Sequence, residues 1–294
     1  MILGSRIGET DWWGKQHNWA APEEQTTIQV DIDDDFIGRN KPVNLGINAD
    51  VKVFMQMLYQ KLEARKNEVT VEARKEWFNK YLLKMEKQRA KFDEHLKDRS
   101  APFKSAHIAD ICKKEFEEDA NVIFDGGNTA VWGQFFYKCT NPGGVLGTPK
   151  MGMLGAGQGQ ALGAAVARAD KQTYCIIGDG AMGFHQQEVE TAIRNKLPIV
   201  FLVAADRQWG MVKINQQFAL KPLKTVLKKS LSEDETINAD FTETRFDKLA
   251  ESMGAHGEYV TTPDELHLAI QRSLASKKCA VIHIDVDNVK HMWA

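Results

Sequence analysis

The segment YCIIGDGAMGFHQQEVETAIRNKLPIVFLVAADRQWGMVK, residues 174–213, sets one carboxylate at the end of each of two apolar runs. Asp179 lies between Gly178 and Gly180, and Asp206 follows 27 positions later. An aspartate in such a turn has two readings. It is a turn residue, or it is a metal ligand beside a phosphate cradle formed by the following N–H groups of Gly180, Ala181 and Met182. Two strand-end carboxylates brought together repel unless a cation lies between them. A hard divalent ion such as Mg2+, taking these oxygens, a backbone carbonyl, water and phosphate, satisfies both the charge and the ligand type.

The elements that must position these carboxylates are legible from periodicity. NVIFDGG (121–127), TYCIIGDG (173–180), PIVFLVAAD (198–206) and AVIHIDVD (280–287) are continuous apolar runs. That is the pattern of strands buried on both faces of a parallel sheet. Helical stretches fall between them: GQGQALGAAVARAD, FHQQEVETAIRNK, FDKLAESMG and PDELHLAIQRSLASK. The expected fold class is therefore α/β, a doubly wound parallel sheet, with ligands beyond the carboxyl ends of its strands. Asp125, Asp179 and Asp206 all lie at such ends. Upstream, residues 1–65 carry a strand (TTIQVDID, 26–33) and a helix introduced by Asn48 and Asp50, half of an α/β domain. Residues 66–102 form a charged helical linker, either solvated with Trp77, Phe78, Tyr81 and Leu82 as its packing stripe or partner-binding.

Composition excludes several classes. With 294 residues, 43% of them hydrophobic, the chain holds one large or two modest cores. A net charge of −2 gives no general attraction to nucleic acid or anionic lipid. No run reaches the roughly 18 apolar residues of a membrane span. Cys112, Cys139, Cys175 and Cys279 stand singly, which fits free thiols in a cytoplasmic protein and no zinc or cluster motif.

These residues resemble the thiamine diphosphate enzymes of the acetolactate synthase, oxalyl-CoA decarboxylase and 2-hydroxyacyl-CoA lyase type. Their cofactor motif runs from Gly-Asp-Gly to an Asn-Asn pair, here GDG (178–180) and AAD (204–206), with Ala205 and Asp206 where the asparagines would stand. The resemblance implies that Asp179, Asp206 and the Gln208 carbonyl hold Mg2+ on the diphosphate. Trp209, Gly210 and Met211 complete that wall. GTPKMGMLGAGQGQALGAAVA (147–167) resembles the segment that grips the aminopyrimidine, so Gly152 would offer its carbonyl to the 4′-amino group and Leu154 would prop the bent cofactor. A dinucleotide loop is the competing reading of GAGQG, but no strand directly precedes it. DGGNT (125–129) resembles the loop that brings Asn128 and Thr129 to the diphosphate; its plain alternative is a turn with Asn128 as a helix cap. His185 and Trp209 lie beside the metal motif, as substrate-facing groups or as a satisfied turn histidine and a packed aromatic.

By the same resemblance, residues 103–294 are the diphosphate-binding domain and residues 1–65 part of a Rossmann-like central domain. The family's pyrimidine-binding domain and its glutamate have no counterpart in a matching motif. A second chain carrying them, in a heterotetramer, is the expected partner. The implied activity is a lyase or carboligase acting on a small-molecule carbonyl or acyl-CoA substrate. An acetolactate synthase-like transferase, a cofactor-binding subunit of a 2-oxoacid oxidoreductase and a non-catalytic regulatory subunit are the alternatives.

Overall fold

The computed structural model describes residues 1–15, 19–68, 72–148, 151–220, 223, 226–227 and 235–287. Pro149 and Lys150 of the 147–167 motif lie outside them. Two compact units divide the chain, Met1–Met85 and Glu86–Ala294.

In the first unit, β1 (Ile2–Leu3), β2 (Ile28–Asp31) and β3 (Leu45–Asn48) pair in parallel in the order β1-β2-β3. β2 is the expected strand, trimmed at both ends; β3 reads LGIN and is mostly exposed, so no apolar run announces it. α1 (Val51–Ala64) starts where the Asp50 carboxylate accepts the Val53 N–H at 3.0 Å, an N-cap that satisfies an otherwise orphaned donor. α2 (Glu72–Asp93) confirms a helix in the charged stretch. Its expected packing stripe is overturned: Trp77, Phe78, Tyr81 and Leu82 are exposed. Trp77 and Tyr81, four residues apart and so on one helix face, stack on each other instead at 5.6 Å.

The second unit is built on a six-stranded parallel sheet. α3 (Ala106–Glu115) leads into β4 (Asn121–Asp125), α4 (Asn128–Phe136) and β5 (Val145–Leu146). Then come α5 (Ala156–Ala167), β6 (Thr173–Gly178), α6 (Asp179–Phe184), α7 (Glu188–Arg194), β7 (Ile199–Ala205) and α8 (Gly210–Leu220). α9 (Phe246–Ser252), β8 (His256–Val260), α10 (Pro263–Ser276) and β9 (Ala280–Asp285) complete it. The strand order is β5-β4-β6-β7-β9-β8. Alternate residues of β7 enter opposite cores: Val200 and Leu202 pack with α3, α4 and α10, while Phe201 and Val203 pack with α5, α7 and α9. Burial on both faces is what made IVFLVAA a continuous apolar run.

Of the helix expected over 184–196, the structure keeps Glu188–Arg194 as α7; Phe184 instead ends α6, and His185, with φ −137° and ψ 40°, leaves the helical region between them. After β4 the chain visits β5 at the sheet edge, then returns to place β6 on the other side of β4. The gap above β4 and β6 is therefore the topological switch point, where an open α/β sheet leaves a crevice for ligands.

Candidate functional site

Three aspartates end strands at this crevice, and the structure separates them. Asp125 is committed to the fold: its Oδ1 accepts the Gly126 N–H at 2.6 Å and its Oδ2 the Gly157 N–H at 2.7 Å, fastening the start of α5 to β4. Burial pushes its pKa up, and these backbone bonds oppose the rise. The loop beyond it approaches β6 closely. Gly126 has φ +110°, and a Cβ there would stand 3.2 Å from Gly178 N. Asn128 and Thr129 open α4, both buried, with Gly127 rather than Asn128 at the cap position. A Cβ on Gly178 would meet Thr129 Oγ1 at 3.2 Å, so the first halves of both motifs converge.

Asp179 is the first residue of α6, directly after β6. Its Oδ1 accepts the Gly180 N–H and its Oδ2 the Arg207 N–H, both at 2.8 Å. The Gly180 N–H is thus engaged by the carboxylate, while Ala181 and Met182 are buried in the same first turn. Asp179 is pushed up to about 7, by burial first and by the negative charge of Asp206 second. Asp206 is buried at the end of β7, and its Oδ2 accepts from Gln208 Nε2 at 3.1 Å. A Cβ on Gly210 would stand 3.0 Å from Asn128 Nδ2, 3.1 Å from Asp206 Oδ2 and 3.7 Å from Gln208 Nε2. A Cβ on Gly127 would meet Met211 Cβ at 2.9 Å. The loops after β4, β6 and β7 therefore share one small polar centre, with glycines where they meet.

The backbone at Gln208 also suits that centre. Gln208 and Asp240 face each other in an antiparallel bridge. The bonds are made by their neighbours: Trp209 N–H donates to Ala239 O at 2.7 Å and Phe241 N–H to Arg207 O at 2.8 Å. In that kind of pair the central carbonyl, here that of Gln208, is not bonded to the facing segment and is left as an acceptor. Among the described residues no group of three or more His, Cys, Asp and Glu side chains converges to hold a metal. Two carboxylates and a backbone carbonyl are hard oxygen donors, a set of the kind Mg2+ takes when water and phosphate complete its shell, rather than one for a thiolate-bound metal. Ala205 brings no polar side chain; it is buried, and its carbonyl accepts the Val286 N–H at 3.2 Å.

The second expected grip lies at the start of α5. Gly152 is exposed with φ +58° and open space around its Cα, and its N–H donates to Thr148 O at 3.0 Å. Leu154 is half-buried on the core beneath α5. His185 is accounted for: its Nδ1 bonds Gly155 O at 2.8 Å. Trp209 lies over Gly180 and packs edge-on against Phe241 at 4.7 Å. Beside Asp179 opens a cleft of about 720 Å3 whose lining includes Gly180, Phe184, Trp209, Phe241 and Thr242.

Two contributors escape sequence reasoning. Arg207 turns its N–H onto Asp179 from a left-handed backbone, φ +56°, stabilised by a 2.7 Å ion pair between its guanidinium and Asp285. Nothing local to an arginine signals that conformation. Gln158 reaches α6 from α5 through a long-range contact that no spacing rule marks.

Residues 125–284 match the family described as thiamine pyrophosphate enzyme, C-terminal TPP binding domain. The chain is similar to a probable acetolactate synthase of Mycobacterium bovis, 31% identical over 171 residues, covering 58% of this chain and 29% of that protein. It is also similar to 2-hydroxyacyl-CoA lyase of Oryza sativa subsp. japonica, 26% identical over 297 residues, covering 98% of this chain and 48% of the lyase. The chain thus spans half or less of the length of these relatives. Benzoylformate decarboxylase from Polynucleobacter necessarius shares the fold, with a TM-score of 0.66 at 18% identity, over 93% of this chain and 48% of that one. Because the family match takes in the crevice and more than half of the sequence, the chain belongs to the thiamine pyrophosphate enzymes.

Proposed function

We propose that the chain forms the diphosphate- and Mg2+-binding wall of a thiamine diphosphate-dependent C–C lyase or carboligase of the 2-hydroxyacyl-CoA lyase kind. The observation that carries this reading is the convergence of Asp179, Asp206, Asn128 and Gly210 at the switch point. Asp179, Asp206 and the Gln208 carbonyl hold Mg2+. Asn128, Thr129, Gly178, Gly180, Ala181 and Met182 border the diphosphate, with Gly210 and Met211 closing the far side and Trp209 shielding it from water. Gly152 accepts from the 4′-amino group, and Leu154 supports the bent conformation. Bound thiamine diphosphate would supply a thiazolium that stabilises the carbanion left when the bond beside a carbonyl breaks. The substrate is a small-molecule carbonyl compound or an acyl-CoA.

The pyrimidine-binding wall and its glutamate come from a second chain in a heterotetramer. Residues 1–65, as part of a central domain, dock on that partner, with residues 66–102 as a linker. α1 supports this: it buries none of its residues and exposes Met55, Met57 and Tyr59. Among the described residues no helix is long and apolar enough to cross a membrane. The four cysteines are unpaired, which favours a cytoplasmic setting.

An acetolactate synthase-like transferase is the second reading, favoured by the higher identity, 31%, over the shorter span. The test is to purify the chain with its co-purifying partner, add thiamine diphosphate and Mg2+, and assay cleavage of a 2-hydroxyacyl-CoA beside condensation of pyruvate. Cleavage by the mixture and none by the chain alone is the expected result. Full activity of the chain by itself would overturn the two-chain arrangement, and condensation without cleavage would favour the transferase.

A further inference from the structure

We infer that Gln158 and His185 are positioning residues that fix the span between the turn at 152–154 and the metal end at Asp179, an inference that rests on the thiamine diphosphate reading. Gln158 is fully buried on α5. Its Nε2 donates to Met182 O at 3.0 Å and to Ala181 O at 3.3 Å, and lies 3.6 Å from Met182 Sδ. Both carbonyls are in the last four residues of α6, which have no partners within the helix. Gln158 supplies the donor they lack.

Packing alone does not account for this side chain. Its Oε1 is buried without a partner, a cost that a leucine or methionine of similar length would not carry. What a glutamine adds is the pair of bonds to α6. A second tie runs the other way. His185, the residue after α6, bonds Gly155 O through Nδ1 at 2.8 Å. Gly155 has φ +83°, and a Cβ there would stand 2.6 Å from Phe184 Cβ and 3.0 Å from His185 Nδ1. The start of α5 and the end of α6 therefore touch at a point open only to glycine. Asp125 holds the same turn of α5 to β4 through Gly157 N–H.

Each tied helix carries one end of the site. The 152–154 turn runs directly into α5, and Asp179 is the first residue of α6. A ligand gripped only by its diphosphate does not sense the distance between them. A ligand gripped at its aminopyrimidine as well does, and small misplacements are costly when two contacts must be made at once. Neither Gln158 nor His185 belongs to the residues that border the cofactor; they act through Gly152, Leu154 and Asp179.

The experiment compares wild type, Gln158→Leu and His185→Ala as the full chain in the assembly in which it purifies. Binding of thiamine diphosphate and of inorganic pyrophosphate, each with Mg2+, is measured by equilibrium dialysis. Amide hydrogen exchange is followed without ligand. The ties predict thiamine diphosphate affinity reduced at least about tenfold, the size expected of supporting groups around a site, and by clearly more than pyrophosphate affinity. They also predict faster exchange at 152–158 and 179–185 while β6 and β7 keep wild-type protection. Equal losses for both probes, no loss for either, or unchanged exchange would overturn the inference. Should wild type bind pyrophosphate and not thiamine diphosphate, the cofactor reading fails while the exchange data still decide whether the ties exist. His185 is exposed, so its variant carries the test without disturbing the core, and Gln158→Met replaces Gln158→Leu if the latter does not fold.

Discussion

Gly180→Ala tests the packing around the metal turn most sharply. The added Cβ would stand 2.5, 2.8 and 3.1 Å from Cζ3, Cε3 and Cη2 of Trp209. Carbon atoms in contact rest about 3.5–4.0 Å apart, so the indole must retreat by about 1 Å. Its retreat is opposed: the ring packs against Phe241 at 4.7 Å and Phe184 at 5.8 Å, and the Trp209 backbone N–H is bonded to Ala239 O. Overpacking of this kind costs about 1–3 kcal/mol. Alanine in place of a helical glycine returns about 1 kcal/mol, leaving a net loss of about 0–2 kcal/mol. The single variant is ambiguous, and the double-mutant cycle is not. In a Trp209→Ala background the obstacle is gone, so Gly180→Ala should become neutral or stabilising, with a coupling of about 1–3 kcal/mol. Urea unfolding of the four proteins, followed by circular dichroism, measures it. Additivity within about 0.5 kcal/mol would refute the contact.

If Asp206 is a metal ligand, Asp206→Asn should preserve Mg2+-dependent cofactor binding, because an amide oxygen takes the same place and still accepts from Gln208. Asp206→Leu should weaken binding at least about tenfold and orphan Gln208 Nε2; equal effects in dialysis would assign Asp206 to charge or packing instead. His283 supplies a pH prediction. It is fully buried, neither ring nitrogen has a partner, and Phe246 and Tyr259 flank the ring. Burial lowers its pKa, followed by opposing effects of Asp247, Glu243 and Asp285, which raise it, and Arg245, which lowers it. A lowered base favours the neutral folded form, so that stability is complete above the ordinary pKa of about 6.5 and is lost as pH falls through the folded value. The melting temperature should therefore drop more steeply for wild type than for His283→Phe between about pH 7.5 and 5, and identical slopes would contradict it.

How much of this was legible follows from where each signal resides. β6 and β7 announced themselves because every residue in them is buried. β8, reading HGEYV, is half-buried and carries no such run, and β5 is two residues long. The pair Asp179 and Asp206 was visible because strand ends and glycine turns are local. The commitment of Asp125 to α5 was not, since its partner Gly157 lies 32 residues on. The break at His185 has the same origin: His185 to Gly155 and Gln158 to Met182 are contacts between helices, and they interrupt a stretch whose own periodicity favours one continuous helix. Trp77 and Tyr81 mark the opposite failure, in which an apolar stripe predicts burial and the side chains stand exposed.

The central claim is that Asp179 anchors Mg2+ on a thiamine diphosphate bound at the switch point. Equilibrium dialysis of thiamine diphosphate against the assembled protein, with and without Mg2+, in wild type and Asp179→Ala, tests it most directly. If Asp179 is a metal ligand, removing its carboxylate would cost the site its Mg2+, and with it the compensation of the diphosphate charge. The account predicts Mg2+-dependent retention in wild type that is abolished in Asp179→Ala, whereas retention unchanged by the substitution would contradict it.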